Sequence, residues 1–542
     1  MTAGSLQQTF PLRLGSVEDY SRVASLLGSL RFDEETVCRS LGITSMADLG
    51  SVRRDTVDLA RAGSAALALL FRLFLFIEPV PRGEIAAALD VDALNLLLAL
   101  DLLRPGPPQN GAETYCATVL LYPVAGLLIA SDRHENPDRS PFVPPPDVVF
   151  PAIFGGTLRF LQVLPTSPAE DVLDLCAGTG IGALALSRRS SRVVAADITG
   201  RAAHFARFNR LLNRCPNVEV AQGDLYEAVE GRSFDRIVAH PPYVPAAAAT
   251  QIFRDAGETG EAILRRIIEG LPQFLRCGGA FYSVCAGWDA KDVRFEERVR
   301  TWLGATRDEF DVLFAVHHEM SPADVARGLA ARAMSNDPAH LADWRQVFDE
   351  AGVERRVYGA LVIDRPGAPG TTRLSPITRR LRLSPLTDAS SFEWLLRWLR
   401  RRETLEACGE LERELLRVAP RLSKQLRMNV AYVPQANGLT VADVVLEADQ
   451  PFAAATRIDP WMFALMARFN GEQTAEAVYE SARAAGQMPE GFGCSDFTAL
   501  VAMMTERGYV EVGGWVSDDR VTSPSSRLWS LESQHVEPHV AP

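Results

Sequence analysis

The chain has 542 residues, of which 47% are apolar and 23% charged, an ordinary composition for a globular protein with several cores. Acidic residues outnumber basic ones by 68 to 56, so the formal net charge of −12 argues against broad, charge-driven binding to nucleic acid. The eight cysteines form no C-x-x-C pair, which favours reduced thiols over a disulfide framework or a metal site.

The first 131 residues indicate an α-rich domain. A strand is predicted at residues 115–122, and helices followed by a hairpin would suit a winged helix that dimerises or presents a substrate. The start of the chain lacks a signal peptide, and the apolar run at residues 65–77 is too short to cross a bilayer, so we expect a cytoplasmic protein. Three segments carry apolar residues at helical spacing: residues 16–30, 55–76 and 82–103.

Residues 132–147 are rich in proline, which predicts a linker without regular helix or sheet. From residue 148 to residue 368, short apolar runs alternate with amphipathic helices, and this alternation predicts a doubly wound, Rossmann-like parallel sheet. A last pair of runs, separated by a helical insertion at residues 322–351, would form an antiparallel edge. The predicted strands are residues 172–175, 193–197, 218–222, 236–239, 279–285, 310–316 and 357–363.

Residues 369–518 are predicted to form a C-terminal domain of winged-helix-like order. It would begin with two strands around a turn at Asn437-Gly438, and the final residues, 519–542, are expected to be disordered. The elements predicted in this domain are strands at 429–434 and 440–447, helices at 461–469, 474–485 and 495–507, and a strand at 508–512.

A glycine-rich turn follows the first predicted strand of the sheet, with the sequence Cys176-Ala177-Gly178-Thr179-Gly180. Gly178 and Gly180 allow a tight turn and a close approach of ligand, and the next helix directs its free amides at that ligand. Asp174 could accept hydrogen bonds from the α-ammonium group of a methionine moiety. The spacing by itself also fits a dinucleotide-binding site.

Two further acids follow; the first fits either ligand, and the second distinguishes them. Asp197, followed by Ile198, ends the second strand, where a carboxylate can bind both hydroxyls of a ribose. Gly223-Asp224-Leu225 follows the third strand, and there Asp224 would meet an adenine amino group, a feature typical of sites for S-adenosylmethionine. Upstream, Thr157 would suit the carboxylate of that methyl donor, or an ordinary helix N-cap.

The fourth strand ends in His240-Pro241-Pro242-Tyr243. Here residues 172–290 resemble the class I methyltransferases that include the protein-glutamine N5-methyltransferases and the ribosomal-RNA guanine N2-methyltransferases, which carry Asn-Pro-Pro-Tyr at this place. Residues 255–260, DAGETG, are similar to the Asp-Gly-Gly-x-x-Gly stretch of the glutamine enzymes. The resemblance implies a seven-stranded core, S-adenosylmethionine as cofactor and methylation of a nitrogen atom.

The tetrad has a chemical logic, because an amide nitrogen is a poor nucleophile. Hydrogen bonds from its N–H groups to the residue-240 side chain and to the Pro241 carbonyl would orient its lone pair, and Tyr243 can stack on the planar group. His240, Pro241 and Tyr243 are therefore the candidate catalytic residues. These three residues, together with Pro242, are the candidate substrate-binding residues, and His240 would also border the cofactor.

His240 stands where the family has asparagine. A neutral imidazole can accept one hydrogen bond, but it can also act as a general base near neutral pH, which would suit a hydroxyl or an amine. The acceptor is thus predicted to be a small molecule or a protein glutamine, with a ribosomal-RNA base disfavoured by the net charge. The alternatives are a ligand-sensing protein and an NAD-dependent oxidoreductase; a homodimer through a flanking domain is also expected.

One more pair of residues has an expected geometry. His317 and His318 are adjacent on a predicted strand, so their side chains are expected to point to opposite faces. Such a pair is more often structural or exposed than a set of ligands.

Overall fold

The computed structural model describes most of the chain. Asn437 of the predicted turn and the tail predicted from residue 519 lie outside the described residues. Those described are 10–109, 111–247, 250–332, 338–367, 375–436 and 438–513.

The N-terminal part is mostly helical, as predicted. Its helices begin where polar side chains cap free amides: Ser16 forms a capping box with Asp19, and Asp33 and Asp90 cap the second and fifth helices. A three-stranded sheet of order β1-β3-β2 closes this part. The elements are α1 Val17–Ser29, α2 Glu34–Leu41, α3 Ala65–Leu70 with a π-helical continuation Phe71–Leu75, β1 Val80–Pro81, α4 Arg82–Ala88, α5 Val91–Ala99, β2 Leu103–Pro105 and β3 Thr114–Ala117, with short 3-10 segments at Met46–Ser51, Arg54–Thr56 and Leu59–Ala62.

The single strand predicted at residues 115–122 is two strands. Thr118 separates them, because its amide and hydroxyl are bonded to the carbonyls of Leu102 and Asp101. The second of the two, β4 (Val119–Val124), pairs with β5 (Leu127–Asp132) to form a separate hairpin.

This hairpin is attached to the next domain by two asparagine side chains. Asn209 accepts from the Ala130 amide at 2.8 Å and donates to its carbonyl at 2.9 Å, and Asn213 does the same with Leu128 at 2.9 and 2.7 Å. Both asparagines lie at the C-terminal end of one helix, which spans Gly200–Leu212 and has Asn213 as its C-cap. The open edge of β5 is therefore satisfied by side-chain amides instead of another strand.

The central domain contains the predicted sheet, with every predicted strand present. The sheet order is β13-β11-β12-β10-β9-β6-β7-β8, the arrangement of a class I α/β core with one strand added. Its elements are α6 Gly155–Val163, β6 Ala169–Leu175, α7 Ile181–Ser187, β7 Ser190–Asp197, α8 Gly200–Leu212, β8 Val218–Gln222, a 3-10 segment Leu225–Val229, β9 Phe234–Ala239, α9 Ala262–Phe274, β10 Leu275–Ala290, α10 Phe295–Trp302, a 3-10 segment Gly304–Glu309, β11 Asp311–Met320, α11 Pro322–Arg332, α12 Pro338–Glu350, β12 Val353–Asp364 and β13 Thr378–Arg382.

The described sheet has eight strands, one more than the seven predicted. The added strand β13 comes from the segment predicted to open the C-terminal domain, and it pairs in parallel with β11. Without it, β11 would present a row of unpaired backbone groups at the sheet edge.

Strands β6 to β9 and the first half of β10 run parallel, so their carboxyl ends lie at one edge of the sheet. Beyond Ala239, which pairs with Ser283, β10 continues for seven more residues alongside β12. The extension of β10 and the paired part of β12 together form a wall beside the end of β9. The first strand β6 lies between β9 and β7, where the chain reverses its order and ligands commonly bind in such sheets.

The C-terminal part contains the predicted strands and helices in the predicted order, together with four elements that were not predicted: a long helix, a short helix and two short strands. The long helix is α13 and the others are α14, β14 and β17. Helix α13 buries an apolar stripe that includes Phe392, Leu395 and Trp398, so its arginine-rich sequence belongs to an amphipathic helix. No helix among the described residues is both long and apolar enough to cross a membrane. The elements are α13 Ala389–Ala407, α14 Leu411–Arg417, β14 Pro420–Leu422, β15 Arg427–Gln435, β16 Gly438–Ala448, β17 Ala454–Ile458, α15 Pro460–Met466, α16 Ala475–Ala484, α17 Cys494–Glu506 and β18 Val510–Val512.

Candidate functional site

The glycine-rich turn lies between β6 and α7, as predicted. Gly178 and Gly180 both have positive φ, +52° and +78°, and a Cβ on Gly180 would lie 3.1 Å from that of Ala206 in α8. Cys176 also has a positive φ, +56°, which is a strained conformation for a residue with a side chain. The Asn209 side chain holds the turn by donating to the Thr179 carbonyl at 2.9 Å.

Asp174 is buried at the end of β6 and faces the start of α7. Its Oδ2 accepts a hydrogen bond from the Ala183 amide at 2.8 Å, and a Cβ on Gly182 would lie only 2.7 Å from the same oxygen. Burial raises the pKa of Asp174 to about 7; the Ala183 amide opposes this shift and the nearby Asp197 adds to it. Asp174 is therefore a carboxyl group whose charge changes near neutral pH.

Asp197 ends β7 and is bonded to the glycine-rich turn. Its Oδ2 accepts from the Gly178 amide at 2.9 Å, and its Oδ1 accepts from the Thr199 amide at 3.0 Å. Burial raises its pKa, and these amide hydrogen bonds act in the opposite direction. The next residue, Ile198, leaves 49% of its surface exposed, which makes it an apolar surface available to a ligand.

Asp224 follows β8, and Arg266 of α9 donates to its Oδ2 at 2.9 Å. A Cβ on Gly223 would come within 2.9 Å of the Ala228 amide, which explains the glycine there, and Leu225 has a φ of +52°. A carboxylate has room for further donors, so the ion pair leaves Asp224 able to accept from another group. No sequence pattern predicted the role of Arg266.

The charges of all three acids act on one side chain, the thiol of Cys176. The pKa of the Cys176 thiol is held well above its usual range, first by burial and then by the charges of Asp197, Asp174 and Asp224. The acids at the ends of three strands thus meet at the glycine-rich turn, as a shared ligand site requires.

Thr157 lies in the first turn of α6. The N-cap of this helix is Phe154, whose side chain cannot accept hydrogen bonds from the free amides. The interpretation of Thr157 as an ordinary N-cap is therefore wrong. The amides at this helix end are left without a side-chain acceptor.

His240 follows β9 and packs against α6. Its ring stacks on Phe160, with centroids 5.5 Å apart and planes inclined by 17°. A Cβ on Gly156 would lie 3.5 Å from its Cε1 and Nε2, so glycine leaves the ring its space. The Nε2 atom is fully covered and has no hydrogen-bond partner in the described structure.

Burial lowers the pKa of His240 to about 4, so the imidazole is neutral at physiological pH. A general base near neutral pH would need a higher value, so the structure favours the hydrogen-bonding role of His240 over the basic one. Leaving a buried polar atom unsatisfied costs about 1–3 kcal/mol. A ligand group that hydrogen-bonds Nε2 would remove this cost.

Tyr243 lies beside His240, with ring centroids 6.1 Å apart, while Pro241 is buried and Pro242 is half-buried. The ring of a second tyrosine, Tyr358 of β12, has its centroid 5.6 Å from that of Tyr243, and the two side chains are hydrogen-bonded. The Tyr243 carbonyl oxygen accepts from Arg356, another residue of β12.

Tyr358 and Arg356 were not predicted as site residues, although their spacing of two places them on one face of a strand. Nothing local indicates that this face meets residues 240–243, because the register of β12 with β10 decides it. In that register, Tyr358 lies opposite Ala286, beyond the end of β9.

His317 and His318 do not follow the expected alternation. Val316 pairs with Gly359 and His318 with Tyr358, so His317 is an extra residue that forms a bulge in β11. As a result both imidazoles contact Tyr358, with centroids 6.1 and 5.0 Å from its ring. The prediction that they point to opposite faces is wrong.

The structure also contains a cavity away from the candidate site. This cavity, of about 580 Å³, lies between the N-terminal domain and the proline-rich linker, lined by Arg104, Arg133 and Arg201 among others, and none of the candidate site residues borders it. The described residues contain no group of three His, Cys, Asp or Glu side chains that could hold a metal ion.

Comparison with known proteins points to the same region. The family model for the methyltransferase small domain matches residues 152–307. A protein of Methanocaldococcus jannaschii named "putative protein N5-glutamine methyltransferase" is 33% identical over 141 residues, which cover 25% of this chain and 70% of that protein.

Two further relatives are bacterial. The release factor glutamine methyltransferase of Xylella fastidiosa is 34% identical over 24% of this chain and 51% of its own length. The ribosomal protein uL3 glutamine methyltransferase of Xanthomonas campestris is 28% identical over 28% of this chain and 50% of its own. The chain thus spans about half the length of these two relatives.

Proposed function

Because the chain belongs to the methyltransferase small domain family of class I S-adenosylmethionine-dependent N-methyltransferases, we propose that it methylates the side-chain amide of a protein glutamine. The observation that carries the proposal is the meeting of Asp174, Asp197 and Asp224 around Cys176, next to residues 240–243 at the neighbouring strand end. The relatives that act on a release factor and a ribosomal protein support a protein as acceptor. A small-molecule acceptor and a homodimer stay predictions from the sequence.

The residues present fit the methyl donor from end to end. Asp174, which would take the α-ammonium group, has a buried carboxyl with one oxygen bound to an amide and the other without a hydrogen-bond partner among the described residues. Asp197 would bind the ribose hydroxyls, and Asp224 the adenine amino group. Ile198 and Leu225 would pack against the adenine ring.

The turn and the first helix complete the donor site. The backbone from Cys176 through Ala177 and Gly178 to Thr179 and Gly180 would line the methionine moiety, and Gly223 would let the backbone approach the adenine. The uncapped amides near Thr157 would donate to the donor's carboxylate. When bound, the donor supplies an electrophilic methyl group on its sulfonium.

On the acceptor side, the residues would position and polarise an amide. The neutral His240 would accept from one N–H through Nε2, the Pro241 carbonyl from the other, and Tyr243 with Pro242 would cover the plane of the amide. Positioning and electrostatics of this kind supply most of the rate enhancement in methyl transfer between aligned groups.

The test is methylation by the whole chain. Purified protein is incubated with S-adenosylmethionine labelled in its methyl group and with a cell extract, and the labelled product is digested and sequenced by mass spectrometry. Label on the side-chain nitrogen of a glutamine is expected. Label on a small molecule or on ribosomal RNA alone would replace the proposed acceptor, and calorimetric binding of NAD without S-adenosylmethionine would overturn methyl transfer itself.

A further inference from the structure

A partly covered arginine lies beside the proposed acceptor site. Arg159 is on α6, three residues after Gly156, which faces His240 and Tyr358, and one before Phe160, which stacks on His240. Burial lowers the pKa of its guanidinium group, and no carboxylate among the described residues pairs with it. Its one hydrogen bond among the described residues goes to the Ser384 carbonyl oxygen at 3.5 Å, which is long for such a contact.

The neighbours of Arg159 are hydrogen-bond donors. The pKa of both imidazoles is lowered, first by partial burial and then by nearby charge, which is that of Arg159 for His317 and those of Arg356 and Arg159 for His318. The charge of Arg159 also acts on the Tyr358 hydroxyl. Neutral imidazoles and a phenol each carry one proton to donate. The bulge at His317 is what brings both imidazoles to this place, and their rings lie 5.3 Å apart.

The site is open to the outside, and none of its four side chains is paired with an acid among the described residues. His317 and His318 are both exposed, so a ligand can reach them from solvent. The next acid along β11, Glu319, already pairs with Arg355 at 2.9 Å. A guanidinium group without a counter-ion, beside three donors and at the mouth of a proposed active site, is an arrangement suited to an anion.

We infer that this group of residues, Arg159 with His317, His318 and Tyr358, binds a carboxylate carried by the acceptor close to the methylated nitrogen. The inference rests on the proposed function, since it places the acceptor nitrogen at His240. The bound carboxylate lies between the Arg159 guanidinium and the imidazoles of β11, and it orients the acceptor so that its amide lies between His240 and Tyr243. Acceptors without an anionic group next to the amide are bound less tightly.

The probe pair is benzoate and its neutral isostere nitrobenzene, titrated into the whole chain saturated with S-adenosylhomocysteine and followed by ligand-observed NMR. Benzoate is expected to bind at least about tenfold more tightly, as one charge-assisted contact provides. Arg159→Gln is expected to abolish this preference, and Arg159→Lys, which keeps the charge but not the planar fork, to retain part of it. The matched control is Arg307→Gln, an exposed arginine far along the chain.

Equal binding of the two probes, failure of both to bind, or an unchanged preference in Arg159→Gln with an unchanged melting temperature would overturn the carboxylate site. Donor binding is measured in the same samples. Donor binding without a benzoate preference refutes the carboxylate site alone, whereas absence of donor binding refutes the proposed function.

Discussion

Arg356 donates a hydrogen bond to the main-chain carbonyl oxygen of Tyr243, a residue 113 positions earlier in the chain. The same guanidinium group also donates to the Thr259 carbonyl at 3.2 Å and packs over the Trp288 ring at 5.2 Å. Arg356 therefore ties the loop that follows β9 to the wall formed by β10 and β12. It acts on the proposed acceptor site through Tyr243, as a positioning residue.

Arg356→Met is expected to lower kcat by about tenfold or more, because small displacements of a positioned group are costly in methyl transfer. The Kd for S-adenosylmethionine should change little, since Arg356 contacts none of the proposed donor residues. Arg355→Met is the matched control: Arg355 is the preceding residue, is exposed, and pairs with Glu319. Steady-state kinetics and calorimetry of both variants check the prediction, and equal losses in the two would contradict it.

His240→Ala is expected to leave donor binding within about twofold and to lower turnover by about ten- to hundredfold, as loss of a polar contact to the reacting group does. His240→Asn, which restores the residue of the related family, should recover much of the activity. The pKa of about 4 further predicts that kcat shows no titration of His240 between about pH 6 and 8. Full turnover in His240→Ala would remove the proposed role.

The raised pKa of Asp174 predicts that the affinity for the methyl donor depends on pH. Its pKa is raised to about 7, so below that pH the carboxyl is largely protonated and gives no charge to the donor's ammonium group. The Kd for S-adenosylmethionine should therefore fall several-fold as the pH rises from about 6 to 8. Asp174→Asn should bind weakly at every pH in this range, while Asp92→Asn, an exposed acid of α5, should keep the wild-type profile.

Asp197→Ala is expected to weaken donor binding by about tenfold or more, because it removes the proposed ribose contacts and frees the Gly178 amide from its acceptor. The measurement is calorimetric titration with S-adenosylmethionine and with S-adenosylhomocysteine. Both ligands contain the ribose, so both should lose affinity to a similar extent. A loss confined to one of them would place Asp197 away from the ribose.

Gly359→Ala is expected to destabilise the protein by about 1–3 kcal/mol or more, as overpacking of a buried site does. An added Cβ would lie 2.0 Å from the Ala315 carbonyl oxygen, next to the bulge in β11. The control is Gly328→Ala in α11, where nothing lies within 4 Å and alanine should be neutral or stabilising by about 0.5–1 kcal/mol. Denaturant unfolding of the two variants compares them, and equal stability would contradict the prediction.

Much of the core was predictable because buried parallel strands are short apolar runs that a local pattern reveals. Asp174, Asp197 and Asp224 follow three such runs, and the carboxyl ends of parallel strands share one edge, so their meeting around Cys176 followed from sequence order. The local pattern did not predict the orientation of His317 and His318, because a bulge inserts a residue without changing the apolar pattern.

The sequence by itself determined the class of the core, the three acids of the proposed donor site and the tetrad at residues 240–243. Only the tertiary structure decided which residues face that tetrad: Tyr358 and Arg356 through the register of β12, Arg159 and Phe160 through the packing of α6, and β13 as the eighth strand. The physical reason is that periodicity encodes which face of an element is buried. Register and packing arise from contacts between segments far apart in the chain, which no local pattern specifies.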